Sequence, residues 1–444
     1  MKLFNSLSNT LEEFVPIHPG EVSMYVCGPT VYNYPHIGNT RPIVVFDTLK
    51  KTLEASGYKV RYVSNFTDVD DKIIKKAVDE KVSELVISNR YIDAYNEDRL
   101  SLNADLPDAT PRVTNSMDEI IAFIKDLETK GYAYAIDGDV YFRVSKVKDY
   151  GQLSKQKIED LMVGARIDEN DRKENPLDFT LWKKTEAGIK WDSPWGQGRP
   201  GWHTECVVMI EKEFHQQMID IHGGGMDLKF PHHENEIAQG CAANHSHVAK
   251  YWVHNGMLNI DGSKMSKSLG NVIWAKDFIY ELGGNTVRWL MLSTHYRSPL
   301  NINEETIQNA KTELEKFQTS LRQAYVKLAL KNQNIVEEIV DDIYQPFLVA
   351  MQDDLNTSNA FKALFDANKK LNASLRQREI AFEEVGKTVY TIEKMLSILG
   401  ILLPRVEVSK KDRDEFDKWE QAKRDKDFAL ADELRNNLQS RGLL

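Results

Sequence analysis

The sequence predicts an α/β fold, one interrupted α/β domain followed by a helical region. Three observations carry that reading. A strand, a glycine-containing loop, a helix and a second strand follow one another between Val22 and Phe66. A like pattern resumes at Gly201 after a stretch of different character. From about Asn301, glycines become scarce and apolar residues fall at helical spacing.

Taken in order, Val22–Cys27 reads as a buried strand that runs into a Gly/Pro loop, Gly28–Pro35. A helix begins near His36, with Val45, Leu49 and Leu53 on one face and Gly57 as its stop signal. Lys59–Phe66 is the next strand, and helix N-termini in such βαβ units bind phosphate. Between about Asp108 and Gly198, charge clusters such as Asp168–Glu174 and short strand-like pieces such as Asp139–Phe142 mark an insertion. Gln217–Ile221 reads as a strand, His222–Gly225 as its terminal loop, and Pro231 as the first turn of a new helix. Further on, Leu314–Leu328, Ile343–Met351 and Ala360–Leu371 read as helices. Ser409–Leu444 is charged and helical in propensity, and charge pattern alone makes it a solvated face.

A chain of 444 residues exceeds one ordinary core, so about two to four domains are expected. The net charge of −10 argues against bulk attraction to nucleic acid, although a local basic surface can still hold phosphates. Three cysteines are too few for a disulfide scaffold, and Cys241, in a run of small residues, reads as buried filler. The longest apolar run, Met395–Leu403, is broken by Ser397 and Gly400 and falls short of a bilayer span. With no secretory signal at the N-terminus, a cytoplasmic protein with no membrane partner is expected.

Three constellations carry chemistry. Cys27, Cys206, His232 and Glu236 are far apart in sequence, yet two thiolates, an imidazole and a carboxylate suit tetrahedral zinc. His232 and Glu236 are four apart and share a helix face, though that pair alone equally fits an ordinary surface pair. An α/β sheet could gather all four at its strands' carboxyl ends. The second constellation is Pro35-His36-Ile37-Gly38-Asn39, where an imidazole can donate to a phosphate and Gly38 lets a nucleotide approach the backbone. A helix-capping or buried histidine is the plain alternative there. The third is Asp261-Gly262-Ser263-Lys264-Met265-Ser266-Lys267-Ser268-Leu269-Gly270, whose two lysines can clamp transferring phosphates.

The pairing of His36-Ile37-Gly38-Asn39 with Lys264-Met265-Ser266-Lys267-Ser268 resembles the class I aminoacyl-tRNA synthetases. Tyr25-Val26-Cys27-Gly28-Pro29-Thr30-Val31-Tyr32, Phe66–Lys72, Gly201–Cys206, His222–Leu228 and Phe230–Glu236 are similar to the cysteine-specific members of that class. The resemblance implies a split Rossmann-like catalytic domain (residues 1–110 and 200–300), with an inserted domain at 111–199. A helical, tRNA-binding bundle at 301–404 and a small anticodon-binding segment at 405–444 would follow. It implies ATP-dependent ligation of L-cysteine to tRNA(Cys) through a cysteinyl-adenylate, by a monomer using one zinc ion and ATP with Mg²⁺. His36, Lys264 and Lys267 would be catalytic, with Gly28, Gly38, Asn39, Gly224 and Asp227 also meeting ATP. Cys27, Thr67, Trp202 and His222 would line the amino-acid pocket, and Cys27, Cys206, His232 and Glu236 would hold the metal.

Two departures stand out. Many class I enzymes have histidine where this chain has Asn39, although cysteine-specific members share the asparagine. Relatives also continue past the position of Leu444 with a short strand and basic tail, which bears on anticodon contacts. The rival expectations are a cysteine:amino-sugar ligase using the same adenylate chemistry and a zinc-stabilised RNA-binding protein without catalysis.

Overall fold

The computed structural model describes residues 1–156, 173–264 and 272–444, Lys264 by its backbone only. At its centre is a four-stranded parallel sheet in the order Ala249–Asn255, Ile219–Gly225, Glu21–Val26, Lys59–Ser64. The chain moves outward from the strand Glu21–Val26 to Lys59–Ser64. It then returns on the other side of Glu21–Val26 with Ile219–Gly225. Between those two strands lies the switch point, where open α/β sheets form their ligand crevice.

Side-chain alternation divides the sheet into two faces. Val22, Met24, Tyr62, Ile221 and Val253 pack on one side with the helix Ile37–Ala55 and the C-terminal helices. Tyr25, Val63 and Trp252 pack on the other with the helices Trp202–Phe214 and Glu234–Asn244. Strands buried on both faces explain the near-continuous apolar runs in the sequence.

The insertion joins this second face. Its helix Met117–Thr129 and an antiparallel sheet of Ala133–Ile136, Asp139–Phe142, Phe179–Lys184 and Gly198–Pro200 share one core with the sheet. Within the charge cluster expected there, Asp168–Arg172 lie outside the described residues.

One strand runs further than the sequence suggests. The stretch His222–Gly225, read as a loop, is the end of the strand Ile219–Gly225. Gly223 pairs with Val26 and Val253, and a Cβ there would sit 2.3 Å from the Phe46 ring. The glycines mark close helix–sheet packing rather than a turn. Pro231 likewise does not open the next helix. It lies in a separate turn, Lys229–His233, and the α-helix runs over Glu234–Asn244.

From Glu304 the chain is helical, with helices Glu304–Leu330, Asp341–Gln352, Thr357–Leu375 and Phe382–Ile398. A hairpin of two charged helices, Lys410–Asp425 and Phe428–Ser440, packs through Phe416, Leu438 and Leu443 on Val326 and Leu330.

Candidate active site

Four elements each bring a donor to the switch point. Cys27 follows the strand Glu21–Val26, and Cys206 lies in the first turns of the helix Trp202–Phe214. His232 and Glu236 project from the turn and helix that follow the strand Ile219–Gly225. The Cys27 and Cys206 sulfurs are 3.6 Å apart, Cys206 Sγ is 3.6 Å from His232 Nε2, and Cys27 Sγ is 3.7 Å from Glu236 Oε1. His232 Nε2 lies 2.9 Å from Glu236 Oε1. Metal–sulfur bonds of ~2.3 Å and metal–nitrogen or –oxygen bonds of ~2.0 Å put the edges of a tetrahedron at roughly 3.3–3.8 Å. Three of these edges already match, and the fourth is the contact that an ion would widen.

The electrostatics suit a divalent cation. Burial pushes the Cys27 thiol well above its ordinary range, and the adjoining Cys206 and Glu236 add to this. The Cys27 hydrogen bond lowers Cys206 to about 6 against the effect of burial. Burial would raise Glu236, yet His222 and His232 hold it well below the usual carboxylate range. Thiolate and carboxylate charge is thus gathered in a buried space that a divalent ion can neutralise.

A second donor group, Cys27, His222, His233 and Glu236, shares two of these residues. Glu236 Oε2 lies 2.7 Å from His222 Nε2, so the carboxylate is braced from both sides. Behind Cys27 runs a buried chain: His233 Nε2 is 3.4 Å from Cys27 Sγ, His233 Nδ1 is 2.8 Å from His254 Nε2, and His254 Nδ1 is 2.8 Å from Ser6 Oγ. Burial lowers His233 well below its ordinary range and His254 to about 3, so both rings are neutral. His233 and His254 were not singled out from sequence. His233 stood within a quoted motif, but nothing in a strand's sequence flags His254 as its partner.

Through Cys27 the donor cluster borders a cavity of about 460 Å³, lined also by Gly28, His36, Gly38, Asn39, Trp202 and Asp227, among others. Gly28 is needed for close approach, since a Cβ there would sit 1.6 Å from the Asn65 carbonyl oxygen. Trp202 stacks on His232 with ring centroids 4.3 Å apart. Thr67 and His222 are buried behind the wall, Thr67 donating to Glu205 Oε2 at 3.1 Å. The buried Tyr25 hydroxyl and His222 Nδ1 have no hydrogen-bond partner among the described residues.

At the other end, His36 caps the helix Ile37–Ala55. Its Nδ1 accepts from Gly38 N, and Asn39 Oδ1 accepts from His36 N. The structure shows the capping role of His36. With Nδ1 accepting, the ring proton sits on Nε2, a donor suited to a phosphate oxygen. Asn39 closes the capping box and keeps its amide NH₂ as a donor.

The described residues on either side of the third motif lie at the same place. Ile37 N donates to Ile273 O and Ala275 N to Pro35 O, both at 2.9 Å. Buried Arg41 donates to the Gly256, Met257 and Ser298 carbonyls at 2.8, 2.9 and 2.6 Å, tying the capped helix to the chain entering Ser263–Lys264. Lys267, the rest of 265–271 and the Lys264 side chain lie outside the described residues.

The model of the tRNA synthetases class I (C) catalytic domain matches residues 13–312, and that of the DALR domain matches residues 346–403. The chain is 47% identical over 453 residues to a protein named cysteine–tRNA ligase of Staphylococcus aureus strain MSSA476, covering all of this chain and 97% of that one. The chain belongs to the cysteine-specific family of class I aminoacyl-tRNA synthetases. Another protein of that name, from S. aureus strain JH9, is 46% identical over the same span. Among solved structures, Mycobacterium tuberculosis methionyl-tRNA synthetase with methionyl-adenylate aligns with a TM-score of 0.63 at 14% identity, covering 85% of this chain and 89% of that one. A putative arginyl synthetase from Campylobacter jejuni aligns with a TM-score of 0.58 at 13% identity, covering 87% and 94%. These two share the class I synthetase fold.

Proposed function

We propose that the chain ligates L-cysteine to tRNA(Cys) in two steps. Cysteine and ATP give cysteinyl-adenylate and pyrophosphate, and the cysteinyl group then passes to the 3′-terminal adenosine with release of AMP. The observation that carries the reading is the cluster of Cys27, Cys206, His232 and Glu236, whose Cys27 lines the same cavity as the His36 cap.

Zinc is the ion that this donor set suits, and when bound it supplies a thiophilic Lewis acid that bonds sulfur far better than a hydroxyl. Serine is then rejected at the first step, because selection rests on a directed bond and not on pocket size. Cys27 and Cys206 contribute thiolate donors, while His222 and His232 keep Glu236 ionised. Trp202 covers the donors from the cavity side. Thr67 and His222 support the amino-acid end, and Gly28, Gly38, Gly224 and Asp227 let the adenosine and phosphates approach. His36 Nε2 and the Asn39 amide meet phosphate oxygens at the helix N-terminus. Lys264 and Lys267 stabilise the charge that develops as pyrophosphate leaves, with Mg²⁺ accompanying ATP.

We assign residues 1–110 and 200–300 to the catalytic domain, 111–199 to the insertion, and 301–404 and 405–444 to tRNA binding. No helix among the described residues is long and apolar enough to cross a membrane. A cytoplasmic monomer is the form in which we expect it to act. An amino-sugar ligase would need no full C-terminal tRNA-binding region, whereas here the DALR match covers 346–403. The deciding experiment is aminoacylation of unfractionated tRNA with each amino acid in turn. Charging by cysteine alone supports the proposal, and charging by none, with transfer to an amino sugar, overturns it.

A further inference from the structure

The outer wall of the cavity carries tyrosines and lysines that none of these assignments uses. Tyr34 is 37% exposed, and the Lys276 ammonium lies 4.1 Å from its ring centroid. Lys72 stands 5.1 Å from the Tyr32 centroid. Tyr91, buried beneath, meets Tyr34 edge-on with centroids 5.2 Å apart at 85°, which fixes the plane of the exposed ring. Tyr32, Tyr34, Tyr91 and Lys72 border the same cavity as Cys27 and His36. Lys75 and Lys76 each pair with an acid one turn on, whereas Lys72 and Lys276 join no ion pair among the described residues. In a chain of net charge −10, unpaired cations interleaved with aromatic rings at a cavity mouth are an anion-facing feature.

We propose that this wall is the landing surface for the single-stranded 3′ end of the acceptor RNA. A base stacks on Tyr34 in place of the Lys276 ammonium, which swings aside and with Lys72 meets the adjoining phosphates. The proposal rests on the reading that the chain charges a tRNA. The acceptor hydroxyl stands at the end of an unpaired strand, which has to pass from solvent to the activated carboxyl group. Unpaired strands are held by positive surfaces that track the backbone and by aromatic faces on which bases stack. A ring whose plane is fixed by an underlying tyrosine loses little freedom when a base settles on it.

The test uses the full-length protein with tRNA(Cys), either intact or trimmed of its unpaired 3′-terminal nucleotides. The wild-type protein should bind intact tRNA more tightly than trimmed tRNA. In Tyr34→Ala that preference should shrink by roughly five- to a hundredfold, and Tyr34→Phe should keep it. Lys276→Ala should lower the salt dependence of binding intact tRNA by about one unit of slope. Cysteine-dependent ATP–pyrophosphate exchange should stay at the wild-type rate in both alanine variants. An unchanged preference in Tyr34→Ala overturns the proposal. So does exchange that falls in step with charging, which would give the wall to ATP. If the wild-type protein charges no tRNA, the acceptor reading itself fails, and that is seen before any variant is made.

Discussion

Replacing His254 with leucine tests whether the buried chain behind Cys27 tunes the metal site. His254 Nε2 lies 2.8 Å from His233 Nδ1, and the His233 Nε2 lies 3.4 Å from Cys27 Sγ. Both rings are neutral, so the chain has one sense or the other. With Cys27 held as a metal-bound thiolate, Ser6 Oγ–H would donate to His254, His254 Nε2–H to His233, and His233 Nε2–H to Cys27. Leucine at 254 leaves His233 free to take the other tautomer, which offers Cys27 a lone pair in place of a donor. Groups that orient a metal ligand in this way typically cost 10–100-fold in metal affinity or activity when lost, so a loss of about that size is expected. The orphaned His233 Nδ1 should also cost about 1–3 kcal/mol of stability. Ser6→Ala, one link further out, should cost about 1 kcal/mol or less. Zinc affinity is read by competition with a chromophoric chelator, and the KM for cysteine by pyrophosphate exchange. A folded His254→Leu protein with wild-type zinc affinity would refute the chain, as would Ser6→Ala weakening zinc more than His254→Leu.

Three further outcomes are expected. Lys267→Ala should lower the kcat of adenylate formation by on the order of a hundredfold, and a change confined to the KM for ATP would show that it binds only ground-state nucleotide. Arg288→Met should destabilise the protein by about 3–5 kcal/mol in denaturant titration, because it strips the buried Asp47 of its partner at 2.7 Å. Burial would raise Asp47, but Arg288 and Lys51 hold it below its ordinary value. Its contribution is therefore present above about pH 4 and lost as pH falls through the folded-state value. The variant should accordingly lose less stability than wild type on acidification, and equal acid limbs would count against the pair. Truncation after Pro404 removes the hairpin that packs on Val326 and Leu330, together with the exposed Arg405–Glu393 pair and Val406, and leaves the parallel sheet whole, so exchange should persist while tRNA charging and its salt dependence fall. Equal charging by both proteins would place RNA reading within 301–404.

The frame was legible where hydrophobic pattern and punctuation agree. The strand before Cys27, the helix after His36 and the helices Asp341–Gln352 and Thr357–Leu375 fall within a few residues of where periodicity puts them, whereas the helix read as Leu314–Leu328 starts ten residues earlier, at Glu304. The strand end at Gly223–Gly225 was not, because glycine signals a loop locally while the packed Phe46 ring selects it from a distance. Charge gave a divided answer. A net −10 says little about a cavity mouth where, among the described residues, Lys72 and Lys276 join no ion pair and stand beside tyrosines. The donor residues could be named from sequence, but their supports could not. His254 and Ser6 are 248 residues apart, and only the pairing of strands brings them together.

That dependence on strand pairing says how the chemistry is built into the fold. Cys27 belongs to the first half of the interrupted domain, while Cys206, His232 and Glu236 belong to the second. The halves meet where Met24, Tyr25 and Val26 pair with Ile221, His222 and Gly223. The donors can therefore converge only when that seam is formed, and an ion bound by all four adds its binding free energy to the stability of the seam. The same seam carries the Cys27 N to Gly223 O bond and sets the mouth of the cavity. A long insertion can sit between the halves without blurring the site, because its core continues the second sheet face and so braces the seam. On the proposed function, selection of a sulfur-bearing substrate and closure of a split domain would be one physical event, a set of donors drawn from both sides of the switch point.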